Sequence, residues 1–511
     1  MGNEAVARGA IEADCRVAAG YPGTPSTEIL ETVAATAPEI QAQWSPNEKV
    51  ALEVAMGGAL AGARSMAVMK HVGLNVAADP LFTFSYTGIN GGLVIINADD
   101  PGPWSSQNEQ DNRHYARAAK VPMLEPSDPE EARSMTRTAF DLSERYDRPV
   151  IVRITTRIAH SRGVVGPHTP QKMPLKPFVR DPQKYVMIPM HARLRHPRVE
   201  SQLDVLRDFS NTSDLNRIEW GDRTRGILCD GVAYHYVREV CPEDSILKIG
   251  MVWPLPDTVI REFAEAVKEL WVVEELDPFI ENHVKAMGLT ATGKARLPII
   301  GELTPDIVDQ ALNNRSQPRV AAYPRALPAR PPQLCNHCPH RYVFEILRDL
   351  DLTVVGDIGC YTLAALEPLH AMHTQTCMGA SIGMLVGIEK ARGKEQARRS
   401  VAVIGDSTFI HSGVTPLIDM VYNQGTGTVI VLDNRTTAMT GHQENPSSGK
   451  TLKGEPAPEL DLEQLARAIG VTRTVTLDPK DTTALRRTIE REIDVRAPSV
   501  IIARRKCILK K

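Results

Sequence analysis

No apolar run in this chain approaches the roughly 18–20 residues that a membrane-spanning helix requires, so no membrane span is expected. An excess of either charge is missing too. Lysine and arginine total 59 against 62 aspartates and glutamates, a net charge of −3, which gives no electrostatic case for nucleic acid or an anionic membrane surface. The opening residues, MGNEAVARGAIEADC, lack the basic stretch and apolar core of a secretory signal, and Gly2 is not followed by the serine or threonine of a myristoylation site. A cytoplasmic location is the expectation. Cysteine is sparse, 8 in 511 residues, too few for a disulfide framework, so a Cys-x-x-Cys pair reads first as metal or redox chemistry. What is present, 42% hydrophobic and 24% charged residues, is the composition of a globular protein. At about 100–200 residues per domain, the length suggests three or four domains.

Proline marks the divisions. Seven prolines lie from Pro167 to Pro197, and Pro318, Pro324, Pro328, Pro331 and Pro332 form a second run. Proline fixes φ and removes a backbone donor, so such stretches favour linkers. Three blocks remain, 1–165, about 200–316, and 333–511. Each mixes short β-branched runs with helical patterns. GGLVIINA and RPVIVRITT in the first, RGILCDG and KELWVVEEL in the second, and DLTVVGDIG, RSVAVIGD, GTVIVLDN and PSVIIARR in the third read as buried strands of parallel sheets. Strands alternating with helices give α/β layers, whose ligands gather just beyond the carboxyl ends of the strands.

The strongest constellation sits at two such ends. Asp406 follows the run VAVIG and Asn434 follows TVIVLD, 28 residues on. A hard divalent cation wants oxygen ligands in near-octahedral geometry, and an Asp carboxylate, an Asn carbonyl, a backbone carbonyl and two phosphate oxygens meet that need. Glycines nearby let the backbone approach a diphosphate. Two ordinary strand-end turns are the plain alternative, since GD and DN are common turn pairs.

The spacing resembles the thiamine diphosphate motif, with Gly405-Asp406-Ser407 where that motif has Gly-Asp-Gly, and Asp433-Asn434 where it has Asn-Asn. TTAMTGHQENP, HTQTCMGASIGMLVGIEKA and AGYPGTPSTEIL resemble segments of 2-oxoacid:ferredoxin oxidoreductases. GNEAVARGA, NEKVALEVA, KHVGLNVAADP, CPHR, GDIGCYTL and CMGASI extend the resemblance, in family order from residue 2 to about 507, to the α subunits of indolepyruvate:ferredoxin oxidoreductases.

The resemblance implies an α/β fold of three doubly wound domains: pyrimidine-binding (1–165), transketolase-C-like (223–316) and diphosphate-binding (333–511). A proline-rich linker and helical segment (166–222) and a linker (317–332) join them. It implies thiamine diphosphate held through Mg²⁺ by Asp406, Asn434 and the backbone carbonyl of Thr436, with Gly405, Ser407, Met378, Gly379 and Asp357 among the cofactor contacts. It implies Glu48 as the acid beside the aminopyrimidine, preferred to Glu53, and Thr24 against the substrate carboxylate, with His71 and Asn75 as weaker substrate contacts. A structural reading stands beside two of these. Ser45, Pro46 and Glu48 have the spacing of a capping box, and Thr24 can cap a helix beginning at Pro25. The expected reaction is oxidative decarboxylation of an aryl 2-oxoacid, with coenzyme A taking the acyl group, ferredoxin the electrons, and a separate β subunit completing the enzyme. The ferredoxin-like domain that usually follows in this family, with its two cysteine-rich runs, is absent from the sequence given. A non-redox thiamine decarboxylase or ligase is the alternative activity.

Four cysteines flank strands of the last block: Cys335 and Cys338 in LCNHCPH, Cys360 after GDIG, and Cys507 after PSVIIARRK. Strand ends converge in an α/β domain, so four thiolates could meet there. By the resemblance they would hold a [4Fe–4S] cluster. Zinc on Cys335, Cys338, His340 and one more ligand in a non-enzymatic protein, a dithiol, or plain structural cysteines are the alternatives. Cys15, Cys229, Cys241 and Cys377 receive no role.

Overall fold

The structure is a computed structural model that describes residues 1–166, 168–315 and 331–510. It divides into two compact units, Met1–Ala322 and Tyr323–Lys511. Of the linker expected at 317–332, residues 317–330 lie outside the described residues.

The first unit opens with six parallel strands: β1 (Val17–Gly20), β2 (Gln41–Trp44), β3 (Ser65–Lys70), β4 (Leu93–Asp99), β5 (Met123–Leu124) and β6 (Val150–Thr155). Their order across the sheet is β5-β6-β4-β3-β1-β2. The continuous apolar runs in β4 and β6 are buried along their whole length, as strands covered on both faces must be. β1 lies between β2 and β3, so the chain leaves it toward one edge and returns on its other side. In open α/β sheets the crevice outside such a reversal is where ligands sit.

The middle segment has its own sheet, made of β7 (Arg217–Glu219), β8 (Asp222–Asp230), β9 (Asp244–Ile249) and, past β10 (Met251–Trp253), β11 (Glu269–Val273). Its order is β11-β8-β9-β7, with β7 antiparallel. β10 crosses over to pair antiparallel with β5 at the edge of the first sheet. One face of the middle sheet is covered by its own helices Ala233–Val240 and Pro305–Asn313. The other shares a core with the first sheet, where Leu228, Leu247, Phe263 and Val272 pack with Leu52, Met69, Leu81 and Ile95. The segment before it carries a helix, Pro189–Thr212, that runs through Pro197.

The second unit is built on β12 (Thr353–Val355), β13 (Ser400–Gly405), β14 (Thr428–Asp433), β15 (Arg473–Leu477) and β16 (Ser499–Arg504), all parallel in the order β12-β13-β14-β16-β15. Alternate residues feed two cores. Val401, Val403, Ile430 and Leu432 pack under helices Pro339–Asp349 and Thr482–Ile493. Ala402, Ile404, Val429 and Val431 pack under Ala380–Arg392 and Val414–Tyr422. The expected α/β class, with three parallel or mixed sheets, is the one observed.

Candidate active site

In the second unit, β13 and β14 are neighbours, and the residues just past their ends meet. Asp406 is buried and accepts from Ser407 N (2.7 Å) and Ser447 Oγ (3.2 Å). Burial first, and the charge of Asp433 second, push its carboxyl up to about 7. Asp433 is itself engaged by Arg504 Nε (2.7 Å) and Arg435 Nε (3.3 Å). Among the described residues Asp406 forms no ion pair, and two buried carboxylates side by side form a donor set that a cation would complete. Asn434 completes the oxygen side. Its Nδ2 donates to His340 Nε2 (3.3 Å), and among the described residues its Oδ1 accepts the long contact from Thr436 N alone, also 3.3 Å. Burial lowers His340 to about 4, so its ring is neutral and can accept that proton.

The glycine-to-serine departure in the motif carries no backbone strain, because Ser407 keeps a negative φ within a short helical turn. Its hydroxyl accepts from Thr437 Oγ1 at 3.0 Å. Gly405 must be glycine: a Cβ there would fall 2.9 Å from the Tyr361 ring, whose hydroxyl accepts from Gly405 N. Gly379 starts the helix Ala380–Arg392 at φ +87°, with the Ser412 backbone where a side chain would go. Asp357 is wholly buried and accepts from Gly379 N (2.9 Å), Ser381 N (3.1 Å) and Ile358 N (2.9 Å). It therefore anchors the turn that carries half-buried Met378, Oδ1 accepting from two backbone N–H groups and Oδ2 from one.

The cysteines converge on the same place. Cys335 and Cys338 sit in a tight turn closed by Cys338 N to Cys335 O (3.1 Å), with His337 at positive φ. Two residues on, His340 reaches Asn434. Cys507 N donates to the Asn434 backbone carbonyl at 3.1 Å. Cys360 opens the turn carrying Tyr361, whose ring meets the edge of His340. Burial first, and charge on the other cysteines second, push Cys338 and Cys360 up to about 11. The four thiols thus lie within electrostatic reach of one another. A tetrahedral zinc would hold its sulfurs about 4 Å apart. Among the described residues, no three of these sulfurs lie within 4.8 Å of one another. Together with the engagement of His340 by Asn434, that spread argues against a preformed zinc site.

In the first unit, Glu48 is buried at the head of the helix Glu48–Leu60. The expected capping box is not formed. Ser45 N continues the β-ladder to Gly20 O (2.8 Å), so the helix starts later; Asn47 is the cap, through Val50 N (2.9 Å), and Glu48 is the first helical residue. Glu53 is exposed and paired with Lys49. The helix is packed on one face only, through Glu48, Ala51, Leu52, Ala55 and Ala59. Gly73 lies against Glu48, and a Cβ there would come within 2.7 Å of Glu48 Cγ and Oε1.

Thr24 is not a cap either. A turn from Gly23 to Ser26, closed by Ser26 N and Oγ on Gly23 O (2.9 and 2.8 Å), delays the helix to Thr27, with Ser26 as N-cap. Thr24 stays half-buried, and its carbonyl accepts from Ser105 Oγ (3.1 Å). His71 is wholly buried and bound to Asn108 O (3.2 Å), while Asn75 is exposed and tied to Gln110 and Tyr115. Both are thus bonded to residues of the 105–115 stretch. Lys70 and Gly73 escape the sequence reading, and His340 enters it only as a candidate zinc ligand, not as the partner of Asn434. No local spacing marks them, because their partners are brought in by the sheets.

Residues 8–209 match the family described as "Pyruvate flavodoxin/ferredoxin oxidoreductase, thiamine diP-bdg", and residues 357–503 match "Thiamine pyrophosphate enzyme, C-terminal TPP binding domain". The indolepyruvate oxidoreductase subunit IorA of Archaeoglobus fulgidus is 40% identical across 100% of this chain and 86% of its own length. The subunit of the same name from Methanothermobacter thermautotrophicus is 41% identical over the same shares. The chain belongs to the indolepyruvate oxidoreductase subunit IorA family. Thiamine diphosphate-binding domains therefore occupy residues 8–209 and 357–503. A solved 2-oxoglutarate:ferredoxin oxidoreductase from Magnetococcus marinus, 19% identical, aligns with 61% of this chain and 64% of its own at a TM-score of 0.51, and so shares the fold. Among the described residues, no helix is long and apolar enough to cross a membrane.

Proposed function

We propose that this IorA-family chain is the thiamine diphosphate subunit of an enzyme that oxidatively decarboxylates an aryl 2-oxoacid of the indolepyruvate type. Coenzyme A would receive the acyl group, ferredoxin the electrons, and a β subunit would complete the assembly. The observation that supports this reading most is the convergence on Asn434: a buried Asp-Asn pair at adjacent strand ends, with the segments of Cys338 and Cys507 both bonded to the asparagine. Metal and redox groups side by side are what an oxidative, rather than a simple, decarboxylase needs.

When bound, thiamine diphosphate supplies the electron sink into which the bond to CO₂ breaks. Asp406, Asn434 and the Thr436 carbonyl would hold Mg²⁺, which suits their oxygen donors and the buried Asp406 carboxyl. Gly405, Ser407, Met378 and Gly379 would line the cofactor, with Asp357 fixing the turn. Glu48 would hold and move a proton at the pyrimidine N1′, a task favoured by a buried carboxyl held in one place. Thr24 would donate to the substrate carboxylate. Cys335, Cys338, Cys360 and Cys507 would hold a [4Fe–4S] cluster, which passes electrons singly. We assign residues 1–165 to the pyrimidine, 223–316 to the transketolase-C-like and 333–511 to the diphosphate domain.

The test is anaerobic purification with the partner subunit, followed by thiamine, magnesium, iron and sulfide assays. All four groups are expected. Thiamine diphosphate without iron would replace this reading with a non-redox decarboxylase or ligase, and zinc with neither would replace it with a zinc-binding protein.

A further inference from the structure

We propose that Lys70 is a substrate-binding residue, the cation that holds the carboxylate of the 2-oxoacid beside Thr24. The inference rests on the function proposed above and adds to it the residue that selects for an acid.

Topology places Lys70 there first. It is the last residue of β3, and Thr24 follows β1, its parallel neighbour, so both stand at the sheet reversal where α/β folds bind ligands. The side chain then crosses from one strand end to the other. Its stem lies over Gly23, where a Cβ would come within 3.1 Å of Lys70 Cγ and Cδ, so the absence of a side chain there leaves the stem room to pass. The ammonium donates to Ser105 O at 3.0 Å, and Ser105 Oγ donates to the Thr24 carbonyl at 3.1 Å. Lys70, Ser105 and Thr24 are thus one connected group.

Charge supplies the second argument. Among the described residues, no carboxylate forms an ion pair with Lys70. Asp100, one of the two acids whose field reaches it, is engaged by Ser105 N (2.9 Å), Ser106 Oγ (2.7 Å) and Thr156 Oγ1 (2.6 Å). Glu48 is the other, at the head of its helix. Burial without a direct anionic partner lowers the amine to about 8. An ammonium has three donors, and Ser105 takes one. A half-buried cation with two donors to spare, at the ligand crevice and next to the threonine, matches a carboxylate ligand. The acyl product has lost its carboxylate as CO₂, so the contact is made with substrate and not with product.

The test uses the complete enzyme loaded with thiamine diphosphate. Lys70→Met is expected to raise the KM for indolepyruvate about 10- to 100-fold, the worth of a charge-assisted hydrogen bond, with a smaller change in kcat. Lys70→Arg should recover much of it, and thiamine diphosphate content and the KM for coenzyme A should be those of the parent. Calorimetry with indole-3-acetate, an aryl carboxylate that does not react, should show weaker binding to Lys70→Met, and indole-3-acetamide should bind parent and variant alike. Unchanged affinity for indole-3-acetate would overturn the assignment. So would equal losses for acid, amide and coenzyme A, which mark a structural tie to the Ser105 loop. Failure of the parent to turn over any 2-oxoacid would overturn the proposed function instead, and the acid-against-amide comparison would still read Lys70.

Discussion

At the scale of single residues, the account turns on Glu48. Its type and place at a helix head were legible because a carboxylate opening a helix of Ala, Gly, Val, Leu and Met stands out. Its cap was misread because Ser45 is drawn into the β-ladder with Gly20, a pairing between segments 25 residues apart that no local pattern encodes. Gly73 was invisible for the same reason: its need to be glycine comes from Glu48 packing against it. Glu48→Gln should keep the fold and the cofactor but lose 2-oxoacid turnover by about 100-fold or more, the span of general acid–base effects. Full activity would refute the assignment. Gly73→Ala forces a methyl against the same carboxylate, so steady-state kinetics should show a large fall in kcat. Urea unfolding should show a loss of only about 1–3 kcal/mol, as for other overpacked sites. A loss of stability with unchanged kcat would mean that Glu48 has no catalytic part.

At the scale of elements, the strand-end loops of the second unit carry the argument. The strands were plain in the sequence, since β-branched runs closed by Gly, Asp or Asn mark them. Which loops meet was not plain, because strand order decides it, and β14 lies beside both β13 and β16. That order brings the Cys507 loop onto Asn434. Cys507→Ser and Cys338→Ser should each lower iron and sulfide in anaerobically prepared enzyme and leave thiamine diphosphate in place. Parental iron content in both variants would exclude these cysteines as ligands. Asp357 is the contrasting case. The resemblance implies a cofactor contact for it, and the structure adds three backbone N–H donors on its carboxylate, two of them brought in by the turn at Gly379.

At the scale of the whole molecule, the division at the first proline-rich run was only partly legible. The first and middle sheets share a core, and a buried charge network joins their strand ends. Arg113 meets Asp111, Asp230 and Glu274, and Arg153 meets Asp99 and Glu125. Glu275 and Lys294 border the group. Carboxylates outnumber cations there, so protons are retained. Glu125 is pushed up to about 8, and Glu274 and Glu275 to about 7, by burial first. An acid raised on folding favours the folded state fully below its ordinary pKa of 4.5, and that advantage is lost as pH climbs through the raised value. His71 and His340, lowered by burial, act oppositely, but only below their ordinary 6.5. Between pH 6.5 and 8 the urea midpoint should therefore fall, and Glu125→Gln should flatten the slope. A midpoint that rises over that range would contradict the network's acid excess.

The most direct test of the central claim is indolepyruvate- and coenzyme A-dependent reduction of ferredoxin by the anaerobically assembled enzyme. Electron transfer is expected to require thiamine diphosphate and to disappear in Glu48→Gln. Release of CO₂ and free aldehyde with no ferredoxin reduced would contradict it.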